Sequence, residues 1–346
     1  MPCHPESSLR RLPLVTLFLS ERCNSRCITC DYWRNGRAEL DLESVRRLLP
    51  SLDRLETEVV LISGGEPLLN PEWAQIAALL KRQGLRLWLL TSGLSLAKHA
   101  RRASMLFDAI TVSLDGTDRS TYAAIRGVDA FDVVCRGIRA AAAADVPVTL
   151  RVTLQRGNFR QLPHFVDLGR ALGVAQVSFL AVDVANMHAF SRREGFAADL
   201  ALRAEDLPVL ERLLCELERD HAEAFRTGFI AESPQKLRQR ILGYFTAVCG
   251  LGAFPPVHCN APEFSAVLDA RGHVSPCFFI GGPAQARVGD DLEEVLNSEA
   301  MASLRHSIRH GERAECSRCV CSMWRDLGNP RQAPLLQPPV ARSAPL

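Results

Sequence analysis

Residues 12–30 read LPLVTLFLSERCNSRCITC and join an apolar run to three closely spaced thiols. The run at 14–19 is short and ends at polar residues, which is typical of a buried β-strand. Cys23, Cys27 and Cys30 follow it in the pattern Cys-x3-Cys-x2-Cys. The sequence therefore predicts a strand whose carboxyl end leads into a loop of metal-ligating cysteines.

The same strand-then-helix order repeats as far as residue 182. Strand-like apolar runs recur at roughly 30-residue spacing, at 14–19, 58–62, 85–90, 109–114, 146–154 and 175–180. Helical patterns lie between them, at 40–52, 71–82, 96–106, 118–125, 131–143 and 159–172. Six such units predict an α/β fold with a parallel sheet, either doubly wound or an open partial (β/α)6 barrel. Both architectures place the active site at the carboxyl ends of the strands.

Composition and charge exclude several classes of protein. The chain has 346 residues, of which 47% are hydrophobic and 23% charged, so it has enough apolar material for a large core. Its net charge of +2 provides no basic field that would attract nucleic acid or a membrane surface. No apolar run reaches the roughly 20 residues of a spanning helix. Residues 10–19 resemble a short signal peptide, but Ser20, Glu21 and Arg22 lack the small side chains of a cleavage site, so we expect a cytoplasmic protein.

Twelve cysteines, most of them in two clusters, indicate metal ligands in a reducing compartment rather than disulfides. Three thiolates with the spacing of Cys23, Cys27 and Cys30 cover one face of a cubane iron–sulfur cluster and leave its fourth iron open. Zinc is the alternative, although a structural zinc site usually has four protein ligands. Cys135 and Cys215 lie in helical patterns, where we expect them to pack in the core.

A second motif, Ser63-Gly64-Gly65-Glu66-Pro67, ends the second predicted strand. Glycines let a backbone approach a ligand closely, and the Glu66 carboxylate can accept hydrogen bonds from an ammonium group. The same residues also suit an ordinary turn. The motif is informative because it follows the cysteine loop by one strand–helix unit and lies on the same rim of the sheet.

With these two motifs in this order, residues 12–182 resemble the radical S-adenosylmethionine (radical SAM) superfamily, whose members have a partial barrel of six βα units. The resemblance implies a [4Fe–4S] cluster whose open iron chelates S-adenosylmethionine (SAM). The cluster ligands implied are Cys23, Cys27 and Cys30, and the contacts to the methionyl amine are Gly64, Gly65 and Glu66. One electron from the cluster cleaves SAM to methionine and a 5′-deoxyadenosyl radical, which abstracts a substrate hydrogen atom. A flavodoxin- or ferredoxin-type electron donor is implied as a partner.

Other polar positions match the family less closely. The resemblance places further SAM contacts at Ser113, Asp115, Arg126, Thr153 and Asn158. Arg126 would pair with the SAM carboxylate or, alternatively, be a solvated arginine at a helix end. Thr29 stands where relatives often have an aromatic residue, so Tyr32 or Trp33 would cover the adenine instead. Ser92 stands where relatives commonly have asparagine, and that role is either empty or taken by Ser92.

Five further cysteines lie near the carboxyl end, at Cys259, Cys277, Cys316, Cys319 and Cys321. They surround a predicted hairpin with a turn at Gly272 and a predicted helix at 292–309. This region resembles the SPASM/Twitch extension of radical SAM enzymes, and five cysteines instead of seven fit the shorter Twitch form with one auxiliary [4Fe–4S] cluster. The ligands implied are Cys259, Cys277, Cys316 and Cys319, with Cys321 as a spare or substitute. A zinc ribbon is the alternative.

The sequence predicts four regions. These are a radical SAM partial barrel at 12–190, a helical linker region at 191–250, an auxiliary cluster domain at 251–327 and a disordered tail at 328–346. Cys249 lies at the junction of the second and third regions. It is either a buried structural thiol or a hydrogen-atom donor to a substrate radical.

The resemblance implies an enzyme whose auxiliary cluster supports dehydrogenation, epimerisation or bond formation on its substrate. The barrel begins early in the chain, so we expect no leader-peptide-binding domain before it. This favours a small natural product of the sugar or aminocyclitol type over a peptide. The alternatives are a maturase of a ribosomally made peptide or protein and, in a different class, a non-catalytic iron–sulfur or zinc scaffold, which would need neither Glu66 nor an open iron.

Overall fold

The computed structural model describes residues 8–184, 186, 188–192, 199–283 and 291–326, so the predicted tail at 328–346 lies outside the described residues. The strands are β1 (Leu14–Phe18), β2 (Val59–Ser63), β3 (Arg86–Thr91), β4 (Ala109–Ser113), β5 (Val148–Leu154), β6 (Gln176–Ala181), β7 (Ser265–Leu268) and β8 (Val274–Ser275). They form one sheet in the order β6-β5-β4-β3-β2-β1-β7-β8. Strands β1 to β6 are parallel to their neighbours, which confirms the predicted parallel sheet.

Helices follow the first five strands at the predicted places. They are α1 (Leu42–Arg54), α2 (Trp73–Arg82), α3 (Leu96–Leu106), α4 (Arg119–Arg126), α5 (Phe131–Ala142) and α6 (Leu162–Leu172). Asp41 caps α1 by accepting a hydrogen bond from the Ser44 N–H, and Asp118 caps α4 by accepting one from the Thr121 N–H. The buried faces of these helices belong to the same apolar core as one face of the strands.

The two faces of the sheet have different partners. Side chains alternate along a strand, so Val15 and Leu17 pack with the helices. Leu14, Val59 and Trp88 point the other way and form a separate small cluster, against which Met323 packs. A doubly wound sheet would carry helices on both faces. The structure therefore has the other predicted architecture, a partial barrel, and this small cluster marks its inner face.

The carboxy-terminal hairpin is part of the barrel sheet. Strands β7 and β8 pair with each other as predicted, and β7 also runs parallel to β1, with Leu14 opposite Ser265. Arg271, in the hairpin turn, donates to the buried Glu21 carboxylate with an Nε–Oε1 distance of 2.5 Å. These contacts tie the hairpin directly to the cysteine loop.

The remaining helices are shorter than predicted. They are α7 (Leu207–Asp220), α8 (Ala222–Arg226), α9 (Pro234–Leu237), α10 (Tyr244–Val248), α11 (Leu292–Leu296), α12 (Glu299–Arg309) and α13 (Ala314–Ser317). Short 3-10 helices lie at Tyr32–Arg34, Pro67–Leu69, Phe159–Gln161, Ala189–Ser191, Ala204–Asp206 and Ala261–Glu263, and a π-helix at Arg238–Gly243 joins α9 to α10. Within the described ranges, no helix is both long enough and apolar enough to cross a membrane.

Two predictions about this part of the chain are wrong in detail. The predicted helix at 292–309 is broken before α12, where the Ser298 hydroxyl accepts a hydrogen bond from the Met301 N–H. Within the predicted helical linker region, His221 separates α7 from α8. Cys135 is buried as predicted, but Cys215 is exposed. The buried stripe of α7 consists of Leu207, Leu210, Leu214 and Leu217. Cys215 follows Leu214 directly and so lies beside this stripe.

Candidate functional site

The cysteine loop at 20–30 is held on two sides by backbone hydrogen bonds. On one side the Gly65 N–H donates to the Ser20 carbonyl and the Glu66 N–H donates to the Arg22 carbonyl, both at 2.7 Å. On the other side the Arg26 N–H donates to the Arg126 carbonyl at the end of α4, at 2.9 Å. The sequence motif after β2 and the end of α4 therefore act together as a clamp on the loop that carries the three cysteines.

Glycines make this clamp possible. A Cβ atom at Gly64 would lie 2.7 Å from the Ser20 carbonyl oxygen, and one at Gly65 would collide with the Arg22 carbonyl. Gly127 has φ +69° at the end of α4, and a Cβ there would collide with the Arg26 carbonyl. We predicted that Gly64 and Gly65 let the backbone approach a ligand. In the structure they let it approach the backbone of the cysteine loop.

The three thiols of this loop lie close together and are half-buried. Burial raises the pKa of Cys23 to about 11 and that of Cys30 to about 12, and each of these pKa values is raised further by the Cys27 sulfur. Three such thiols facing one another fit the ligand set of a metal cluster, because a bound cation would stabilise the thiolate forms that burial disfavours. Within the described residues, no three metal-ligating side chains converge tightly enough to hold a single ion.

Glu66 is completely buried beside these thiols. Its carboxylate accepts hydrogen bonds from the Ser92 N–H at 2.7 Å, the Ser92 hydroxyl at 2.6 Å and the Thr91 hydroxyl at 2.8 Å. All these donors are neutral, and no cationic side chain in the described ranges forms an ion pair with Glu66. A buried carboxylate without a counter-charge suits a ligand that brings a cation, such as the ammonium group of SAM. Ser92 thus binds Glu66 through both its N–H and its hydroxyl, and that it takes the role of the missing asparagine stays a prediction.

Four of the five other predicted SAM contacts form one network. Asp115 accepts from Arg126 Nη1 at 3.1 Å and from the Thr153 N–H at 2.8 Å, and Asn158 donates to the Asp115 carbonyl at 3.0 Å. Although burial lowers it, the pKa of Arg126 is raised by the nearby Cys27 and Asp115. Arg126 is therefore a buried, paired arginine beside the cysteine loop and not a solvated one. Ser113 ends β4 next to this network.

The two candidates for an aromatic cover differ. Tyr32 is half-buried and packs edge-on against Phe18, with ring centroids 5.4 Å apart. Trp33 lies between the guanidinium groups of Arg26 and Arg34, at 4.6 and 4.4 Å from its ring centroid.

The sulfur of Cys249 donates to the Leu202 carbonyl, and burial together with Glu205 raises its pKa. Its role as a hydrogen-atom donor remains a prediction.

The five carboxy-terminal cysteines are mutual neighbours. Burial raises the pKa of Cys277 to about 12 and that of Cys321 to about 11, and the nearby Cys259 sulfur adds to both. Burial and Cys259 likewise raise the pKa of Cys316, and burial and Cys321 raise that of Cys319. The structure thus brings together all five thiols that the sequence grouped, and they fit a thiolate-ligated cluster as the first three do.

An aromatic cluster of Phe18, Tyr32, Phe190 and Phe278 joins the two cysteine sites. Phe278 follows Cys277 in the chain, and its ring lies 4.8 Å from that of Phe190 and 6.0 Å from that of Phe18. The Phe190 carbonyl accepts a hydrogen bond from the Asp31 N–H, next to Cys30. These rings therefore connect the chain segments that carry Cys30 and Cys277 at the carboxyl end of β1.

Sequence reasoning missed several polar residues at this end. Asp183 follows β6 and lies near Cys319 and Arg192. Burial raises the pKa of Cys319, to which the charge of Asp183 adds, and burial lowers the pKa of Arg192 although Asp183 opposes this. Arg151 and Gln155 lie on or just after β5, and Arg151 Nε and both amide atoms of Gln155 are buried with no hydrogen-bond partner. Their signal in the sequence was a polar residue at every second position of an apolar strand, at Arg151, Thr153 and Gln155.

Comparison with known families identifies the two parts of the chain. Residues 17–168 match the model of the radical SAM superfamily, and residues 259–320 match the model SPASM, described as an iron–sulfur cluster-binding domain. The chain has a radical SAM domain followed by a SPASM domain. It therefore has a SAM-binding [4Fe–4S] cluster and an auxiliary iron–sulfur cluster, which confirms the predicted cofactors.

Several radical SAM proteins of known name are similar in sequence. Fe-coproporphyrin III synthase of Methanosarcina barkeri is 28% identical over 221 residues, which are 61% of this chain and 54% of that protein. A probable GTP 3′,8-cyclase of Saccharolobus islandicus is 31% identical over 176 residues, 49% of this chain and 57% of that protein. The matches thus span just over half the length of these relatives.

Solved radical SAM structures share the fold. Streptococcus suis SuiB bound to its precursor peptide SuiA has a TM-score of 0.62 at 14% identity, covering 86% of this chain and 67% of SuiB. The protein anSMEcpe with bound AdoMet and a peptide has a TM-score of 0.62 at 18% identity, covering 85% of this chain and 82% of that one. At these identities the likeness confirms the fold, a partial barrel with a SPASM domain.

Proposed function

We propose that this chain is a radical SAM enzyme that abstracts a hydrogen atom from a small natural-product molecule bound between the two cysteine sites. The observation that carries the proposal is that the aromatic cluster joins the chain segments of the two cysteine sets at the carboxyl end of β1. A non-catalytic scaffold would need no buried carboxylate such as Glu66, which has no cationic partner in the described ranges. Its presence favours an enzyme.

Each residue of the first site has a proposed role. When bound, the cluster supplies the electron that cleaves SAM to methionine and the 5′-deoxyadenosyl radical, the species that abstracts hydrogen. Cys23, Cys27 and Cys30 hold the cluster, and Glu66 accepts hydrogen bonds from the methionyl ammonium group. Arg126 orients the SAM carboxylate while Asp115 keeps the guanidinium in place, at 3.1 Å. Gly64 and Gly65 act indirectly, by allowing the clamp on the cysteine loop.

The carboxy-terminal cysteines hold the auxiliary cluster in this proposal. Cys259, Cys277, Cys316 and Cys319 are four ligands, and Cys321 is the substitute, because all five thiols are neighbours. A redox centre beside the substrate can take up an electron after hydrogen abstraction, which would make the reaction a dehydrogenation or an oxidative bond formation. It can also relay electrons in an epimerisation. A cytoplasmic location and a flavodoxin- or ferredoxin-type donor follow from the need for a low-potential electron.

A small molecule is the substrate class that we favour. The named relatives at 28% and 31% identity are a synthase of Fe-coproporphyrin III and a probable cyclase of GTP, and both compounds are small molecules. The structures with bound peptides are similar only at the level of fold. Within small molecules we keep the sugar or aminocyclitol as the first candidate, and maturation of a ribosomal peptide is the alternative.

The test is anaerobic turnover of the reconstituted protein with SAM, a reductant and deuterated candidate substrates. Sugars, aminocyclitols, a tetrapyrrole, a nucleotide and ribosomal peptides are compared by mass spectrometry of 5′-deoxyadenosine. We expect deuterium transfer from one of the small molecules. Transfer from peptides alone would replace the proposal with peptide maturation, and failure of the protein to cleave SAM under any condition would overturn the enzymatic function.

A further inference from the structure

Strand β5 places one arginine on the inner face of the barrel. Leu150 and Val152 are completely buried in the core under the helices, so Arg151 between them points to the opposite face. In the sheet register Arg151 stands between Ser113 of β4 and Ser178 of β6. Its guanidinium group therefore lies inside the barrel, near the carboxyl ends of the strands.

This guanidinium group has no protein partner in the described ranges. Arg151 Nε is buried without a hydrogen bond, and the side chain forms no ion pair there. The Ser178 hydroxyl is already used, because it donates to Glu232 at 2.6 Å. Two buried arginines have carboxylate partners by contrast: Arg126 pairs with Asp115 and Arg325 with Glu58. A half-buried guanidinium without a counter-charge is costly unless a ligand supplies one.

Arg151 also lies between the two cysteine sites. Two residues closer to the end of β5, the Thr153 N–H donates a hydrogen bond to Asp115. Asp115 in turn pairs with Arg126, which lies beside Cys27. On the other side, the charges of Arg151, Lys236 and Arg240 all lower the pKa of Cys321 against the effect of burial. The guanidinium is thus close to the proposed SAM site and to the carboxy-terminal thiols, in a region of positive charge.

We propose that Arg151 binds an oxyanion of the substrate, a carboxylate or a phosphate, and so determines which molecules enter the barrel. The inference rests on the proposed function for the identity of the reaction, but the anion site itself can be measured without turnover. The planar guanidinium has paired N–H donors whose spacing matches two oxygens of one carboxylate or phosphate. The neutral amide of Gln155, just after β5 and two positions beyond Thr153, offers a further unused donor and acceptor.

The probes are inorganic phosphate and citrate, each compared with sodium chloride at equal ionic strength. The reconstituted protein is studied as wild type, Arg151→Gln, Arg151→Lys and Arg136→Gln, the last being a matched loss of charge at an exposed arginine of α5. The dissociation constant is obtained from the rise of the unfolding midpoint with anion concentration. Iron content, measured on each variant, shows that it has folded and carries its clusters.

We expect phosphate or citrate to stabilise the wild type and Arg136→Gln equally. Arg151→Gln should bind the same anion about ten- to hundred-fold more weakly than the wild type. The affinity of Arg151→Lys should lie between those of the wild type and Arg151→Gln, because lysine keeps the charge but loses the paired N–H donors. The phosphate and citrate arms show which oxyanion is preferred. Equal binding by Arg151→Gln and wild type, or no specific binding by the wild type, would overturn the site and leave Arg151 as a counter-charge for the neighbouring thiolates. Because SAM cleavage by the wild type is measured separately, failure of the anion site is distinguishable from failure of the proposed function.

Discussion

Glu66 shows how a single side chain can define what a site binds. It is fully enclosed, its oxygens are oriented by Thr91 and Ser92, and the protein offers it no cation in the described ranges. Neutral donors stabilise the ionised carboxylate without cancelling its charge. We propose that a ligand matches this negative charge, whereas the charge of Glu21 is matched by Arg271.

The first prediction is that Glu66→Gln weakens SAM binding while the iron content stays unchanged. The loss of one charge-assisted hydrogen bond to the methionyl ammonium should cost about 1.5–3 kcal/mol, or roughly ten- to hundred-fold in affinity. Anaerobic equilibrium dialysis with SAM measures this affinity, and Glu43→Gln on the exposed face of α1 is the control. Unaltered SAM affinity in Glu66→Gln would remove the assignment.

At the scale of elements, the clamp on the cysteine loop depends on where α4 ends. Gly127 adopts φ +69° and brings the α4 carboxyl terminus against the Arg26 carbonyl, which leaves no room for a side chain. Gly228 has nearly the same conformation, φ +70°, but a Cβ atom there would have no neighbour within 4 Å. Comparing substitutions at the two glycines therefore distinguishes the effect of backbone strain from the effect of losing the clamp.

The second prediction compares Gly127→Ala with Gly228→Ala. Alanine in a left-handed conformation should cost about 1 kcal/mol at Gly228, and the collision should add about 1–3 kcal/mol at Gly127. We also expect Gly127→Ala to lose iron from the first site, because the cysteine loop is displaced. Denaturation midpoints and iron per chain measure both effects. Equal losses in the two variants would show that the clamp has no role in cluster binding.

Local patterns predicted the elements that depend on local chemistry. All six barrel strands were placed correctly, because each is a short apolar run with turn residues at its ends, as at 59–63. The break at His221 and the π-helix at Arg238–Gly243 were missed, because apolar periodicity continues through them and only packing selects the break. Pairing of β7 with β1 was missed for a different reason. Register between strands far apart in sequence is set by the folded barrel, not by either segment alone.

The residues of the candidate site likewise fall into those that local sequence patterns reveal and those that only the folded structure reveals. The spacing of cysteines and glycines is visible in the sequence, so the two thiol sets and the Gly64-Gly65-Glu66 segment were found. Arg151 and Gln155 were missed because a polar residue in an apolar strand is most often at a solvated face. Only the curvature of the barrel turns that face inward and shows that both side chains lack partners in the described ranges.

For the whole molecule, the third prediction concerns the separate loading of the two cysteine sites. Changing Cys23, Cys27 and Cys30 to Ala should abolish SAM cleavage and leave about four irons per chain, the content of one cubane on four thiolates. Iron and sulfide analysis with an assay for 5′-deoxyadenosine measures both. Retention of SAM cleavage, or about eight irons in the triple variant, would contradict the assignment of the sites.

The fourth prediction is the converse change at the carboxyl end. Replacing Cys316 and Cys319 by Ala should impair the auxiliary cluster, because two of its four proposed ligands are lost and only Cys321 can substitute for one of them. Slow SAM cleavage should persist because the first site is intact, but product should not form. Zinc at the carboxy-terminal site of the unmodified protein would contradict the assignment of an auxiliary iron–sulfur cluster to these cysteines.

The parallel pairing of β7 with β1 also has a consequence for how the protein is made. Leu14 finds its partner Ser265 about 250 residues later in the chain. A ribosome adding about 5–20 residues per second needs roughly 12 to 50 s to supply that partner. Throughout this time the β1 edge carries unpaired backbone groups beside the nascent cysteine loop, which is a template for aggregation. We therefore expect the β1 edge to need protection during synthesis, and cluster delivery to follow release of the chain from the ribosome.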